Sequence, residues 1–173
     1  DESENNSEKL LHEKVKALLT PEDYKSARAA TTNAFYTSPE IIKAMWQYLG
    51  SMGFTGGRVL EPSAATGLFI AGMPRAMREA SEITAVELEP LSGRIGKALH
   101  PDVQYILKGL QEAELSDDYF DLAISNIPFG DYAIFDSTFS TAERKLCGSI
   151  HNYFCLKAVK LVRPGGLIAF VTS

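Results

Sequence analysis

The 173-residue sequence contains no apolar run of about 18 residues, the length that a membrane-spanning helix needs. It also shows no signal peptide, because the stretch from Asp1 to Glu8 is acidic and polar and no basic region leads into an apolar segment. We therefore expect a cytoplasmic protein with no membrane partner.

The sequence is poor in the residues that bind metals or form disulfides. Its two cysteines, Cys147 and Cys155, have no companion at metal-ligand spacing and are interpreted as reduced core thiols, with a redox role as the alternative. The three histidines show no nucleophile or ligand partners either; they are His12, His100 and His151. No metal site is predicted.

The sequence lacks an excess of positive charge. Its net charge is −5 and its pI is about 5.2, whereas contacts to phosphate groups need a basic surface. The charge therefore argues against strong nucleic-acid affinity from these residues alone. With 45% hydrophobic and 23% charged residues, the composition is that of a folded globular domain.

The chain divides into an N-terminal extension and one core domain. We assign residues 1–20 to an acidic tail of nine solvated residues and a helix with Leu11, Val15 and Leu18 on one face, which Pro21 ends. Residues 21–173 form the predicted core. It opens with a helix that Ser38 caps and Pro39 begins.

Short apolar runs then alternate with helical segments, which predicts a doubly wound, mainly parallel sheet. The predicted strands are 58–61, 83–87, 103–107, 120–125 and 167–172, and the predicted helices are 75–80, 90–99, 140–146 and 151–161. Ligands of such sheets bind at the carboxyl ends of the strands, near the point where the strand order reverses.

Unusual residues follow the first and second predicted strands. Glu61–Phe69 is a turn of small residues with a single glycine, Gly67, so it is not a dinucleotide fingerprint; a tight turn without a ligand is the alternative. Glu87 and Glu89 lie about 20 residues further on, where a carboxylate can accept the hydroxyl groups of a ribose. Solvated acids at a helix start are the alternative for this pair.

The fourth predicted strand runs into Ser125-Asn126-Ile127-Pro128-Phe129-Gly130, a short, stiff loop. This loop resembles the N-P-P-[FYW] motif of amino-methyltransferases. With the Glu61–Phe69 turn and the upstream segment 35–39, the order of motifs is similar to that of gamma-type DNA adenine-N6 methyltransferases. More narrowly, it is similar to the methylase module of methylase-helicase proteins of bacterial mobile elements and phages.

The resemblance implies a Rossmann-like S-adenosylmethionine-dependent methyltransferase fold. It implies that the Asn126 side-chain oxygen and the Ile127 carbonyl accept the N–H groups of an adenine, while Pro128 stiffens the loop and Phe129 stacks on the extruded base. S-adenosylmethionine is the implied cofactor, with the ribose on Glu87 and the cofactor's adenine on Leu88. The cofactor-binding residues it implies are Phe35, Tyr36, Thr37, Glu61, Pro62, Ser63, Ala65, Gly67, Glu87, Leu88, Gly109, Leu110 and Gln111.

Two positions depart from the family's pattern. Ala65 stands where glycine is usual, which strains the turn by about 1–2 kcal/mol if that residue needs a positive φ. Ile127 replaces the first proline of the motif but keeps the backbone carbonyl. Methylation of protein glutamine or of RNA, and a non-catalytic scaffold, remain alternatives.

The chain ends directly after its fifth predicted strand, where related enzymes continue. We therefore expect a fragment of a larger protein, truncated after that strand and fused to recognition or helicase-like regions. Duplex DNA would be bound through a region outside this chain.

Overall fold

The computed structural model describes residues 2–31 and 36–172. Contacts between backbone positions divide the chain into two compact units, residues 1–34 and residues 35–173. The predicted boundary after residue 20 thus falls inside the first unit. Within the described residues, no helix is both long and apolar enough to span a membrane.

The first unit consists of two helices, α1 (Glu2–Leu18) and α2 (Pro21–Thr31). The prediction of a nine-residue solvated tail was wrong, because the helix already begins at Glu2. Acidic side chains near a helix N-terminus are favoured by the helix dipole, which explains how this polar stretch joins α1.

The second helix of this unit was not predicted. Pro21 was expected only to end a helix, but it also begins α2, because proline suits the first position of a helix. The Thr20 hydroxyl accepts a hydrogen bond from the Asp23 N–H at 3.1 Å and caps the helix. The two helices meet where His12 Nε2 and the Tyr24 hydroxyl lie 3.1 Å apart.

The second unit alternates helices and strands. Its helices are α3 (Pro39–Ser51), α4 (Leu68–Ala71), α5 (Arg75–Glu79), α6 (Pro90–Leu99), α7 (Thr141–Leu146) and α8 (Ile150–Leu161). Its strands are β1 (Gly57–Glu61), β2 (Ser81–Val86), β3 (Gln104–Ile106), β4 (Phe120–Asn126) and β5 (Val162–Val171). Of these elements, α4 was not predicted.

The five strands pair in parallel in the order β3-β2-β1-β4-β5. This confirms the prediction of a doubly wound parallel sheet. The chain moves outward from β1 to β3 and then returns to place β4 on the other side of β1. The strand order therefore reverses between β1 and β4, and the carboxyl ends of these two strands flank the switch point.

Helices cover both faces of the sheet. On one face, Ile42, Trp46 and Leu49 of α3 are buried, and the Trp46 indole N–H donates to the Phe69 carbonyl at 2.9 Å. On the other face, Tyr153 and Leu161 of α8 are buried in a second apolar cluster, which also contains Cys147. Cys155 of α8 is exposed, so the prediction that it is a core thiol was wrong. With both faces covered, the sheet holds its strand ends in fixed positions.

The edge strand β5 starts earlier than predicted. Val162 pairs with Phe120, and the next pair joins Leu167 to Leu122, so the intervening residues bulge out of the ladder. Pro164-Gly165-Gly166 was expected only to end the preceding helix; in the structure α8 ends at Leu161 and this tripeptide forms the bulge.

Candidate active site

The turn between β1 and α4 has two residues in the left-handed region. Ala65 has φ = +47° and Gly67 has φ = +85°. The Ala64 N–H donates to the Val86 carbonyl at 3.0 Å, and the Gly67 N–H donates to the Ala64 carbonyl at 2.7 Å. Ala65 therefore adopts the strained backbone that the sequence predicted for a residue in place of glycine.

The Glu87 carboxylate, directly after β2, holds this turn. One oxygen accepts the Ala65 N–H at 2.6 Å, and the other accepts the Glu89 N–H at 2.7 Å. Burial raises the pKa of Glu87 even though these backbone hydrogen bonds lower it. Since a carboxylate has about four acceptor positions and the Leu88 N–H also lies close to it, Glu87 retains at least one position for a further donor.

Glu61, the last residue of β1, is only 2% exposed. Its Oε2 atom is buried and has no hydrogen-bond partner among the described residues. Burial, and after it the charge of Glu87, raises the pKa of Glu61 well above its ordinary value. Two carboxyl groups, one with an unsatisfied buried oxygen, thus lie at the ends of neighbouring strands.

The loop after β4 is attached to the turn after β1. The Ser125 hydroxyl donates to the Ser63 carbonyl at 3.1 Å, and the Ile127 N–H donates to the Val171 carbonyl at 3.2 Å. Asn126 is half-buried and its Oδ1 atom is buried, while the Ile127 side chain is buried in the core. The switch point therefore brings Asn126 next to the turn that contains Ala65 and Gly67.

The other predicted residues lie in different environments. Pro62 and Gly109 are buried, and Ser63, Thr37, Gln111, Pro128 and Phe129 are half-buried. Tyr36 and Leu88 are 64% and 71% exposed, so both can contact a ligand. Leu110 packs in the core with Leu60 and Val86, which leaves its backbone as the part that can reach the site. Phe35 lies outside the described residues.

Sequence reasoning missed the side chains behind the turn. A methyl group at Gly67 would lie 2.5 Å from the Tyr105 hydroxyl and 2.7 Å from His100 Nε2, and one at Gly96 would lie 2.5 Å from the same hydroxyl. Gly67 and Gly96 therefore make room for Tyr105. The absence of a side chain at Gly96, on the buried face of α6, was the available signal of such close packing.

No protein-family model matches the chain. Over 147 residues it is 31% identical to the "Defense against restriction protein B" of Escherichia phage P1. That match covers 82% of the chain but only 6% of the phage protein.

Several methyltransferases are among the solved structures that resemble this chain. A type I restriction-modification methyltransferase subunit from Streptococcus thermophilus aligns with a TM-score of 0.64 and 16% identity, over 80% of this chain and 34% of its own. A putative class I S-adenosylmethionine-dependent methyltransferase from Listeria monocytogenes aligns with a TM-score of 0.59 and 15% identity, over 76% of this chain and 43% of its own. An S-adenosylmethionine-dependent O-methyltransferase from Thermotoga maritima aligns with a TM-score of 0.57 and 16% identity, over 82% of this chain and 46% of its own. The chain has the Rossmann-like fold of S-adenosylmethionine-dependent methyltransferases.

Proposed function

We propose that this chain binds S-adenosylmethionine and transfers its methyl group to an exocyclic amino nitrogen, that of adenine N6 in DNA. The observation that carries this proposal is the hydrogen bond between Ser125 and Ser63. It fixes the Asn126–Phe129 loop beside the turn after β1, at the switch point of a methyltransferase fold. The resemblance of that loop to the N-P-P-F motif supplies the substrate class.

The carboxyl groups of the site fit a cationic cofactor with ribose hydroxyl groups. The buried Glu61 Oε2 atom, which has no hydrogen-bond partner in the described part of the chain, is an acceptor that a positively charged ligand would satisfy, since an uncompensated buried carboxylate is costly. The remaining acceptor capacity of Glu87 suits a ribose hydroxyl. When bound, S-adenosylmethionine supplies an electrophilic methyl group on a sulfonium centre.

The remaining predicted residues complete this cofactor site. Leu88 offers an exposed apolar surface for the adenine ring of the cofactor. We assign the methionine end to the segment that contains Tyr36 and Thr37, whose Oγ1 atom is buried with no partner among the described residues. Gln111, in the turn after β3, is assigned to the cofactor's amino group.

The Asn126–Phe129 loop provides what an amino nitrogen substrate needs. The lone pair of such a nitrogen is delocalised into the aromatic ring, which makes it a poor nucleophile. If the Asn126 side-chain oxygen and the Ile127 carbonyl each accept one N–H, the nitrogen moves toward a tetrahedral geometry and its lone pair faces the methyl group. This is catalysis by positioning and by complementary charge. Phe129 stacks on the base, a contact worth about 1–3 kcal/mol.

The first test is calorimetric titration with S-adenosylhomocysteine. The wild-type chain should bind saturably, Glu87→Ala should weaken binding, and Asn126→Ala should leave the affinity nearly unchanged because Asn126 contacts the substrate. An absence of binding by the wild-type chain at high micromolar ligand would contradict the proposal.

The second test is transfer of radiolabelled methyl groups, using this chain and any longer protein that contains it. Asn126→Ala should abolish transfer, and Phe129→Ala should reduce it less completely. The substrates should be single-stranded DNA with and without adenine, the matching RNA, and a glutamine-containing peptide. Label in the peptide or the RNA but not in the DNA would contradict the assignment of adenine in DNA.

The proposal that DNA is a partner of this chain is supported by the phage relative, by the restriction-modification structure and by the proposed substrate class. The net charge of −5 provides few phosphate contacts, so this chain alone should grip duplex DNA weakly. We expect no specific complex in a gel-shift titration at physiological salt. Sequence-specific binding by these residues alone would contradict the idea that the DNA-holding surface lies elsewhere.

A further inference from the structure

His100, which follows α6, is 7% exposed and lies between α5 and the turn after β1. Its Nδ1 atom is 3.4 Å from Arg78 Nη2. Its Nε2 atom faces Gly67, beside the backbone of the turn after β1. The imidazole therefore contacts the turn on one edge and a cation on the other.

These neighbours select one form of the imidazole. A guanidinium group can only donate, so Nδ1 has to be an unprotonated acceptor toward Arg78. The ring proton then resides on Nε2, where it can be donated to the carbonyl groups of the turn. The neutral Nε2–H tautomer satisfies both edges of the ring, and no other form does so.

Arg78 is not free to move away from His100. Its Nη2 and Nε atoms bind the two oxygens of Asp102 at 2.7 and 3.0 Å, and its Nη1 donates to the Ile70 carbonyl at 3.3 Å. The fork geometry of this pair fixes the plane of the guanidinium. A proton added at Nδ1 would therefore face a cation that is held in place.

We propose that His100 is a positioning residue for the cofactor turn, which its neutral form holds in shape and its protonation at Nδ1 releases, so that cofactor affinity falls in mild acid. This inference rests on the proposed function. Besides Arg78 and Asp102, the titratable side chain of Tyr105 lies near His100, with its hydroxyl beside Gly67. The charges of Glu61 and Glu87 help to raise the pKa of this hydroxyl, after the effect of burial.

The electrostatics of the cluster agree with this assignment. Burial and the Arg78 charge lower the pKa of His100, and they outweigh the opposing effects of Asp102 and of the backbone groups. A histidine with a lowered pKa favours the folded arrangement above about pH 6.5 and loses that contribution as the pH falls through its folded-state pKa. The contribution of His100 to the turn should therefore be present at pH 7.5 and should decrease as the pH falls below about 6.5.

The test combines binding and NMR measurements. S-adenosylhomocysteine affinity should be measured by calorimetry from pH 7.5 to pH 5.5 for the wild type, His100→Gln and, as the control, His12→Gln in the N-terminal unit. We expect wild type and His12→Gln to lose about three- to tenfold more affinity over this range than His100→Gln, because at most one proton is linked. The carboxyl groups of Glu61 and Glu87 titrate in all three chains, so the difference isolates His100.

The NMR titration of the His100 ring in the unliganded wild type should give a pKa below that of a free histidine, and Arg78→Gln should raise it. This measurement uses the wild type and Arg78→Gln, so it does not depend on whether a His100 variant folds. Equal pH profiles for wild type and His100→Gln, or an ordinary pKa in the wild type, would overturn this inference alone. An absence of any ligand binding at pH 7.5 would overturn it together with the proposed cofactor site.

Discussion

The hydroxyl of Ser125, on β4, donates a hydrogen bond to the carbonyl oxygen of Ser63, in the turn after β1, at 3.1 Å. Ser125 is fully buried on β4, and Ser63 follows β1, the other strand that flanks the switch point. This contact joins the loop assigned to the substrate to the turn assigned to the cofactor. It defines the separation of the two groups that methyl transfer would have to bring together.

Ser125→Ala should lower the free energy of unfolding by about 1 kcal/mol, because it leaves the Ser63 carbonyl without its donor. It should also reduce methyl transfer more than it reduces S-adenosylhomocysteine affinity. Urea unfolding, calorimetry and a transfer assay measure these effects. Ser81→Ala is the matched control, since the Ser81 hydroxyl donates to the Met77 carbonyl at 2.6 Å and lies at the opposite end of β2. Equal effects of both changes on transfer would contradict this role of Ser125.

Ala65→Gly should stabilise the chain. Ala65 has φ = +47°, which costs about 1–2 kcal/mol for a residue with a Cβ atom, and the greater backbone entropy of glycine offsets about half of this gain. We expect a net increase of about 0.5–1 kcal/mol in the free energy of unfolding, measured by urea titration. Ala64→Gly is the control, because Ala64 is buried and does not have a positive φ; it should destabilise. A loss of stability in Ala65→Gly would show that the turn is not strained.

The sequence predicted the parts of this structure that local chemistry decides. A helix over 90–99 was predicted and α6 spans these residues. Glu89, for which a ribose acceptor and a helix-start acid were both considered, caps this helix through the Leu91 and Ser92 N–H groups. The apolar runs identified the five strands, and their ends located Glu61, Glu87 and Asn126 at one edge of the sheet. The strain at Ala65 followed from its place in the turn.

What the sequence did not predict depends on contacts between distant residues or on weak local signals. Ser125 and Ser63 are 62 residues apart, and His100 and Arg78 are 22 apart, so no periodicity or motif connects them. The helix α2 was missed because it lacks a marked apolar face and Pro21 was interpreted as a helix end. A proline is common both after the end of a helix and at its first position. Thr20, which caps α2, is the residue that marks Pro21 as the start of a helix.

Asp121 should make the stability of the chain sensitive to strong acid. Its carboxylate accepts the Arg58 N–H at 2.7 Å and also binds the side chains of Arg58 and Arg163, which links β1, β4 and β5. The backbone hydrogen bond from Arg58, and after it the two guanidinium groups, lower the pKa of Asp121 to about 2. Its contribution is thus present above about pH 4 and is lost as the pH falls toward 2.

Urea unfolding of the wild type and of Asp121→Asn between pH 6 and pH 2.5 measures this effect. The wild type should be the more stable at pH 6, and the difference should shrink steadily below pH 4. Asp117→Asn, at an exposed residue before β4, is the control and should change little. A difference that is independent of pH would show that Asp121 does not stabilise the sheet through its charge.

Removing one partner of the buried pair of Asp136 and Lys157 should strongly destabilise the chain. Lys157 Nζ lies 2.8 Å from Asp136 Oδ2, and the side chains are 6% and 0% exposed. Although burial raises the pKa of Asp136, the hydrogen bonds from Lys157, Thr138 and Tyr153 outweigh it and lower that pKa. Because the segment around Asp136 follows the Asn126–Gly130 loop, this pair anchors the chain beyond that loop to α8.

Lys157→Met would leave Asp136 buried without its cation, which should cost about 3–5 kcal/mol at pH 7. The pKa of Asp136 should then rise above its unfolded value, and protonation would recover part of the loss as the pH is lowered from 7 to 5. The double variant that combines Lys157→Met with Asp136→Asn removes both charges and should be less destabilised than Lys157→Met alone. Lys160→Met, which breaks the more exposed pair with Glu143, should cost under about 1 kcal/mol. Urea unfolding of the wild type and these three variants at pH 7 and pH 5 measures these differences. If Lys157→Met lost no more unfolding free energy than Lys160→Met, Asp136 would not be left as an uncompensated buried charge.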